Sequence, residues 1–261
     1  MDCTLITGAS GFIGKAFAKQ LVKTDCLILT GRSEEKLNIT KNQLLEVNSN
    51  ATIYIFAADL TSVEDRRNLF KFIDDNSLKL KKLFNVAGAD IQKAFIKYDQ
   101  EKLIFQIRTN FEATLSVTLE FLKRKTENAE ILTISSMCGC TPMPYFGVYS
   151  ATKAALINFF NALRVELKND KMKITTVLPG SVETRPDVIK DIKKQGLTGR
   201  LSKKTPEYVA EKSLEALKKN KRIFVPGLYN KIVYFFNKIT PQTLAEIIVA
   251  KKFKIKEKDA F

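Results

Sequence analysis

The chain has no histidine among its 261 residues. Any proton transfer it performs must run through Tyr, Lys, Asp, Glu or Cys, which excludes Ser-His-Asp hydrolases and imidazole-ligated metal sites. A Pro/Gly/Ser-rich linker is also missing, and 45% hydrophobic content over this length suits a single large α/β domain. No secretory leader is expected, and the four cysteines are Cys3, Cys26, Cys138 and Cys140. Reduced thiols in a cytoplasmic protein are expected. Cys138 and Cys140 lack zinc or redox spacing and read as small buried side chains, so no metal is expected. Acidic residues are outnumbered, 28 against 43 basic, for a formal charge of +15. Most of that excess reads as a Lys-rich solvated surface, with no nucleic-acid partner expected.

Apolar, partly β-branched runs recur at 3–7, 26–30, 52–56, 83–87, 131–135, 174–178 and 222–225. Helix-length amphipathic segments separate them, notably 34–47, 63–75, 100–125 and 149–167. Near-continuous apolar strands alternating with helices imply a parallel sheet of about seven strands covered on both faces. Right-handed crossovers then give a doubly wound, Rossmann-type fold.

The first strand runs into TGASGFIG at 7–14, and a helix of period 3.6 follows. Gly8, Gly11 and Gly14, with Ser10, Phe12 and Ile13 between them, form a turn that aims free helix N–H groups at an anion such as a pyrophosphate. In such sheets ligands bind beyond the carboxyl ends of the strands. Small, polar or turn-forming residues follow strand after strand: Gly31-Arg32-Ser33, Asp59-Leu60, Ala87-Gly88, Ser135-Ser136 and Pro179-Gly180-Ser181. An acidic residue after the second strand would bind the ribose 2′-OH of NAD, whereas Arg accepts a 2′-phosphate. Arg32, with Ser33 as a hydroxyl donor and Lys15 nearby, favours NADP(H) over NAD(H).

Tyr149 and Lys153 are four apart, on one face of a helix. A tyrosine titrates near 10, and a neighbouring ammonium brings its phenolate closer to neutral pH. Ser136, at a strand exit, can hold a substrate oxygen beside the phenol.

Taken in order, the glycine turn, Asp59, Asn85-Val86-Ala87-Gly88, Asn110, Ile134-Ser135-Ser136, Tyr149 with Lys153, and the 179–184 segment resemble the short-chain dehydrogenase/reductase family over residues 1–225. The resemblance implies that Tyr149 is the general acid of carbonyl reduction and that Ser136 orients the carbonyl oxygen. It further implies that Lys153 lowers the tyrosine pKa and holds the nicotinamide ribose, and that Asn110 holds a water linking this lysine to solvent. Asp59 with Leu60 would meet the adenine, and Asn85, Ala87 and Gly88 would line the cleft. Pro179, Gly180, Val182 and Thr184 would hold the carboxamide end. The implied activity is NADPH-dependent reduction of a ketone or aldehyde, or its reverse, on a lipophilic compound of 3-oxoacyl or hydroxysteroid type, by a homodimer. Phe12 stands where short members of the family carry glycine, and the 8, 11, 14 spacing is similar to that of the longer nucleotide-sugar epimerases and dehydratases. An epimerase or dehydratase is therefore the alternative enzyme, and an NADP(H)-sensing or membrane-scaffold protein the non-catalytic one.

Residues 1–227 are expected to form the dinucleotide-binding domain, and 228–261 a C-terminal helical extension. Leu228, Ile232, Phe235, Phe236 and Ile239 share one helical face, and Leu244, Ile247 and Ile248 precede Lys251, Lys252 and Lys254. Both runs fall short of the ~20 residues of a membrane span. They fit an anionic membrane interface, a cleft lid or a dimer face. The segment 185–204 is expected to be a substrate lid hinged at Gly196 and Gly199. Asp90, Ile91, Met137, Met143, Phe146 and Val182 are expected pocket walls.

Overall fold

The computed structural model describes residues 2–241. The second apolar set (Leu244, Ile247, Ile248) and the lysines from 251 onward lie outside the described residues.

Among the described residues, seven parallel strands form one sheet: β1 Asp2–Thr7, β2 Cys26–Gly31, β3 Ile53–Ala57, β4 Lys79–Asn85, β5 Lys125–Ile134, β6 Lys173–Val177 and β7 Ile223–Phe224. Their order is β3-β2-β1-β4-β5-β6-β7. The chain reverses its direction of growth between β1 and β4, which opens a crevice above their carboxyl ends. Helices α1 Phe12–Leu21, α2 Glu34–Val47 and α3 Val63–Asp75 connect the first four strands.

Side chains alternate along each strand into two apolar layers. Leu5 and Ile28 join a layer with Leu69 and Phe70 of α3, whereas Ile6, Leu27 and Leu29 face Phe17 and Leu37 of α1 and α2. Phe17 meets Phe84 edge to face, ring centres 5.1 Å apart. β1 and β2 are buried on both faces, so the edge that carries ligands is supported by two cores.

The register sets Cys3 opposite Cys26, with Cα atoms 4.5 Å apart. The two are joined as a disulfide, where the sequence reading expects thiols. Their sequence separation of 23 residues hides an adjacency that only strand pairing creates. Cys138 and Cys140 are free and partly buried.

The expected helix 100–125 is divided. α4 Gln100–Ile107 and α5 Ala113–Arg124 flank a π-helical turn, Arg108–Glu112. α6 Gly147–Glu166 carries the Tyr149 and Lys153 pair. Most of the 185–204 segment is helical, as α7 Pro186–Lys194 and α8 Gly196–Ser202, with Gly196 opening α8 at φ +61°. α9 Pro206–Lys218 leads to β7, and α10 Leu228–Ile239 follows Gly227, whose φ is +89°. Buried Asn230 of α10 donates to the carbonyls of Ser202 and Pro226, which ties this helix to the end of α8.

Candidate active site

The glycine turn is shaped by close backbone approach. Gly8 has φ +63°, and a Cβ there would lie 2.8 Å from the Cα of Ala87, beyond the end of β4. At Gly14 a Cβ would press on the Gly8 carbonyl oxygen and lie 2.8 Å from the Ala9 Cα. Side chains are therefore excluded at 8 and 14. No such demand applies at 12. Phe12 opens α1, 51% exposed, with its side chain on the cleft wall.

A cleft of about 870 Å³ runs over this turn. Of the residues expected at the cofactor, Gly8, Ser10, Gly11, Phe12, Ile13, Gly14, Arg32, Asp59, Leu60, Ala87, Gly88, Tyr149, Lys153, Pro179, Gly180, Val182 and Thr184 line it, and Ser136 joins them. Ser33 does not. Its hydroxyl accepts from the Lys36 backbone N–H at 3.2 Å and caps α2. Asn85 is also absent from the wall: it is buried below, donating to the Thr118 and Thr133 hydroxyls at 3.1 and 3.3 Å. Among the expected pocket walls, Ile91 is fully buried outside the cleft, while Asp90, Met137, Met143, Phe146 and Val182 line it.

Several lining residues escaped the sequence reading. Lys36 lies on the first turn of α2, four residues after Arg32, a spacing that could have flagged it. Phe105 has no sequence signal; its ring stacks under the Arg32 guanidinium at 5.5 Å. Tyr229, Asn230, Val233 and Asn237 bring one face of α10 to the cleft.

At the other end, Tyr149 stacks on Phe146 with centroids 4.4 Å apart and 15° between planes. The Lys153 Nζ lies 5.6 Å from the Tyr149 ring centre and donates to the Ile134 carbonyl at 3.0 Å. Ser136 Oγ accepts from the Cys138 N–H at 3.1 Å. Burial pushes the Tyr149 hydroxyl far above its ordinary value, Cys138 and Asp90 add to this, and the Ser136 hydroxyl opposes it. Burial also pulls Lys153 down to about 8, against the field of Asp90. The expected lowering of the tyrosine by the lysine is not what this environment gives: desolvation raises the phenol, and Lys153, over the ring at 5.6 Å from its centre, is not among the groups that shift it. At neutral pH the phenol carries its proton.

Asn110 lies behind this pair, fully buried in the π turn. Its Oδ1 accepts from the Ala89 N–H at 2.7 Å, and its Nδ2 donates to the Ala89 carbonyl at 2.9 Å and to the Thr152 hydroxyl at 3.1 Å. Such turns often mark functional positions. Here the side chain clamps the strand exit at 88–89 to α6. A Cβ on Gly88 would lie 3.3 Å from both Asn110 Oδ1 and Lys153 Nζ, so this glycine lets the two groups gather beneath it.

The chain belongs to the short chain dehydrogenase family, whose model matches residues 2–194. Its members are NAD(P)-dependent oxidoreductases acting on CH–OH groups of small molecules. An uncharacterized oxidoreductase of Staphylococcus epidermidis is 31% identical over 69% of this chain and 77% of its own length. A 3-oxoacyl-[acyl-carrier-protein] reductase of Rickettsia bellii is 32% identical over 79% of this chain and 85% of its own length. A short-chain dehydrogenase of Sphingobium yanoikuyae, solved in complex with NADPH, shares the fold with TM-score 0.78 at 22% identity, covering 94% of this chain and 95% of that one.

Proposed function

We propose that the protein is an NADPH-preferring reductase of lipophilic ketones or aldehydes, of which a 3-oxoacyl group is the leading candidate. The observation that carries this reading is the gathering of Ser136, Tyr149 and Lys153 at one end of a single cleft whose other end holds Arg32 and Lys36. A dinucleotide fits that cleft. Its phosphates suit the glycine turn at the N-terminus of α1, and the two cations suit a 2′-phosphate. The apolar wall of Met143, Phe146, Val188 and Val233 supports a lipophilic substrate, as does the named activity of the Rickettsia relative.

Bound NADPH supplies the hydride. Tyr149, protonated at neutral pH, donates its proton to the carbonyl oxygen as charge develops there, and the Ser136 hydroxyl donates a hydrogen bond to the same oxygen. Lys153, fixed by the Ile134 carbonyl, supplies positive charge beneath the reacting groups. Asn110 acts through position, holding Ala89 and Thr152. Residues 1–227 carry the reacting groups, and 228–261 form an extension whose helix α10 adds Val233 to the cleft wall. We further assign a homodimer as the working assembly. The test is NADPH oxidation over ketones and 3-oxoacyl thioesters of graded chain length. Rates that rise with chain length support the reading, and no consumption with any carbonyl opposes it.

A further inference from the structure

α10 presents three faces. At 3.6 residues per turn, Tyr229, Val233 and Asn237 fall on the side that lines the cleft, and Lys231, Tyr234 and Lys238 on a second side. Leu228, Ile232, Phe235, Phe236 and Ile239 fall together on the third, each between 47% and 75% exposed. Isolated exposed apolar residues are ordinary, but five on one helical face are not. The second side borders a groove of about 410 Å³ that Lys221, Arg222, Lys231 and Lys238 line without any carboxylate.

We propose that the apolar face of α10 docks into the interface of an anionic lipid bilayer, with the groove cations seating phosphate headgroups. The arrangement matches an interfacial helix, with one apolar face and, along one flank of it, lysines that reach the headgroup plane. Charge selects this occupant over a second copy of the chain. α10, LYNKIVYFFNKI, contains no acidic residue, so two-fold pairing of this face would set Lys231 and Lys238 against their own kind. Arg222 already meets like charge, since its field joins burial in lowering the Arg164 pKa. Beyond the described residues the sequence adds Lys251, Lys252, Lys254, Lys256 and Lys258 against Glu246, Glu257 and Asp259. Docking in this way sets the α10 wall of the cleft at the membrane. The inference holds whichever carbonyl compound is reduced.

The chain contains no tryptophan, so full-length Phe235→Trp carries one emission reporter. With vesicles of phosphatidylglycerol and phosphatidylcholine its emission should shift to the blue and be quenched by brominated acyl chains. With phosphatidylcholine alone it should do neither. In flotation, Phe235→Ser/Phe236→Ser and Lys231→Glu/Lys238→Glu should each lose about tenfold or more of the wild-type partition onto anionic vesicles. Unchanged melting temperatures establish that both variants fold. An unshifted reporter, equal binding to neutral vesicles, or wild-type flotation of both folded variants overturns the proposal. It is overturned too if the serine pair splits a wild-type dimer in ultracentrifugation while no form binds vesicles; the face is then an interface between copies.

Discussion

Arg185, at the start of α7, holds Asp90, beyond the end of β4, through Nη2 contacts of 3.0 and 3.3 Å. The pair spans the cleft, and both side chains are about 30% exposed. It fastens the helical segment 186–202 to the strand exit beside Tyr149 and Lys153, whose titration feels the Asp90 carboxylate. A partly exposed ion pair of this kind contributes about 1 kcal/mol or less. That is enough to favour this position of the segment without locking it.

Arg185→Gln should therefore speed tryptic cleavage within α7 and α8 by about two- to fivefold. Time-resolved digestion followed by mass spectrometry measures this. Unchanged cleavage would mean that the segment is held by its other contacts, such as the Val182 to Lys204 bridge.

Arg32 and Lys36 should set cofactor preference. At equal concentration NADPH should raise the wild-type melting temperature more than NADH does, because tighter binding to the folded state stabilises it more. Arg32→Ala/Lys36→Ala should remove most of that difference. Equal shifts in the wild type would remove the 2′-phosphate assignment.

Lys153 gives a pH signature. Its folded pKa, about 8, lies below the ordinary 10.5, so the unfolded chain binds more protons between those values. Stability from this group is lowest below pH 8 and rises as pH climbs toward 10.5. Relative to Lys153→Met, wild type should gain up to about 3 kcal/mol across that window. Urea unfolding at several pH values tests this, and parallel profiles for the two proteins would contradict it.

Gly14→Ala should cost about 1–3 kcal/mol, since the new methyl has only the Gly8 and Ala9 backbone to push against. Phe12→Gly should not restore anything to the turn. It should instead destabilise α1, by about 0.5–1 kcal/mol. The order of the two urea midpoints, wild type above both, checks the reading of the 8, 11, 14 spacing as compatible with this fold.

Much of the architecture was legible because parallel strands are buried on both faces and so read as apolar runs, as 26–30 and 174–178 do. Many of the cleft residues were legible because they follow a strand end, and Tyr149 with Lys153 because a spacing of four sets them on one face of a helix. What escaped depends on tertiary contacts. At the π turn the Asn110 amide is engaged by Ala89 and Thr152, long-range contacts that no local propensity encodes. Asn85 looked like a wall residue but turns inward to Thr118 and Thr133. Ser33 serves α2 as a cap, and Lys36 stands nearer to the role given to it. The amphipathic period of 228–239 was plain in the sequence, yet only the structure separates its cleft, basic and exposed faces.

The central claim rests on the Tyr149 phenol as proton donor. On a ketone that the wild type reduces, Tyr149→Phe should lower the NADPH oxidation rate by about 10²–10⁴-fold, while NADPH binding followed by its fluorescence stays close to wild type. Turnover near the wild-type rate with intact NADPH binding would contradict the account.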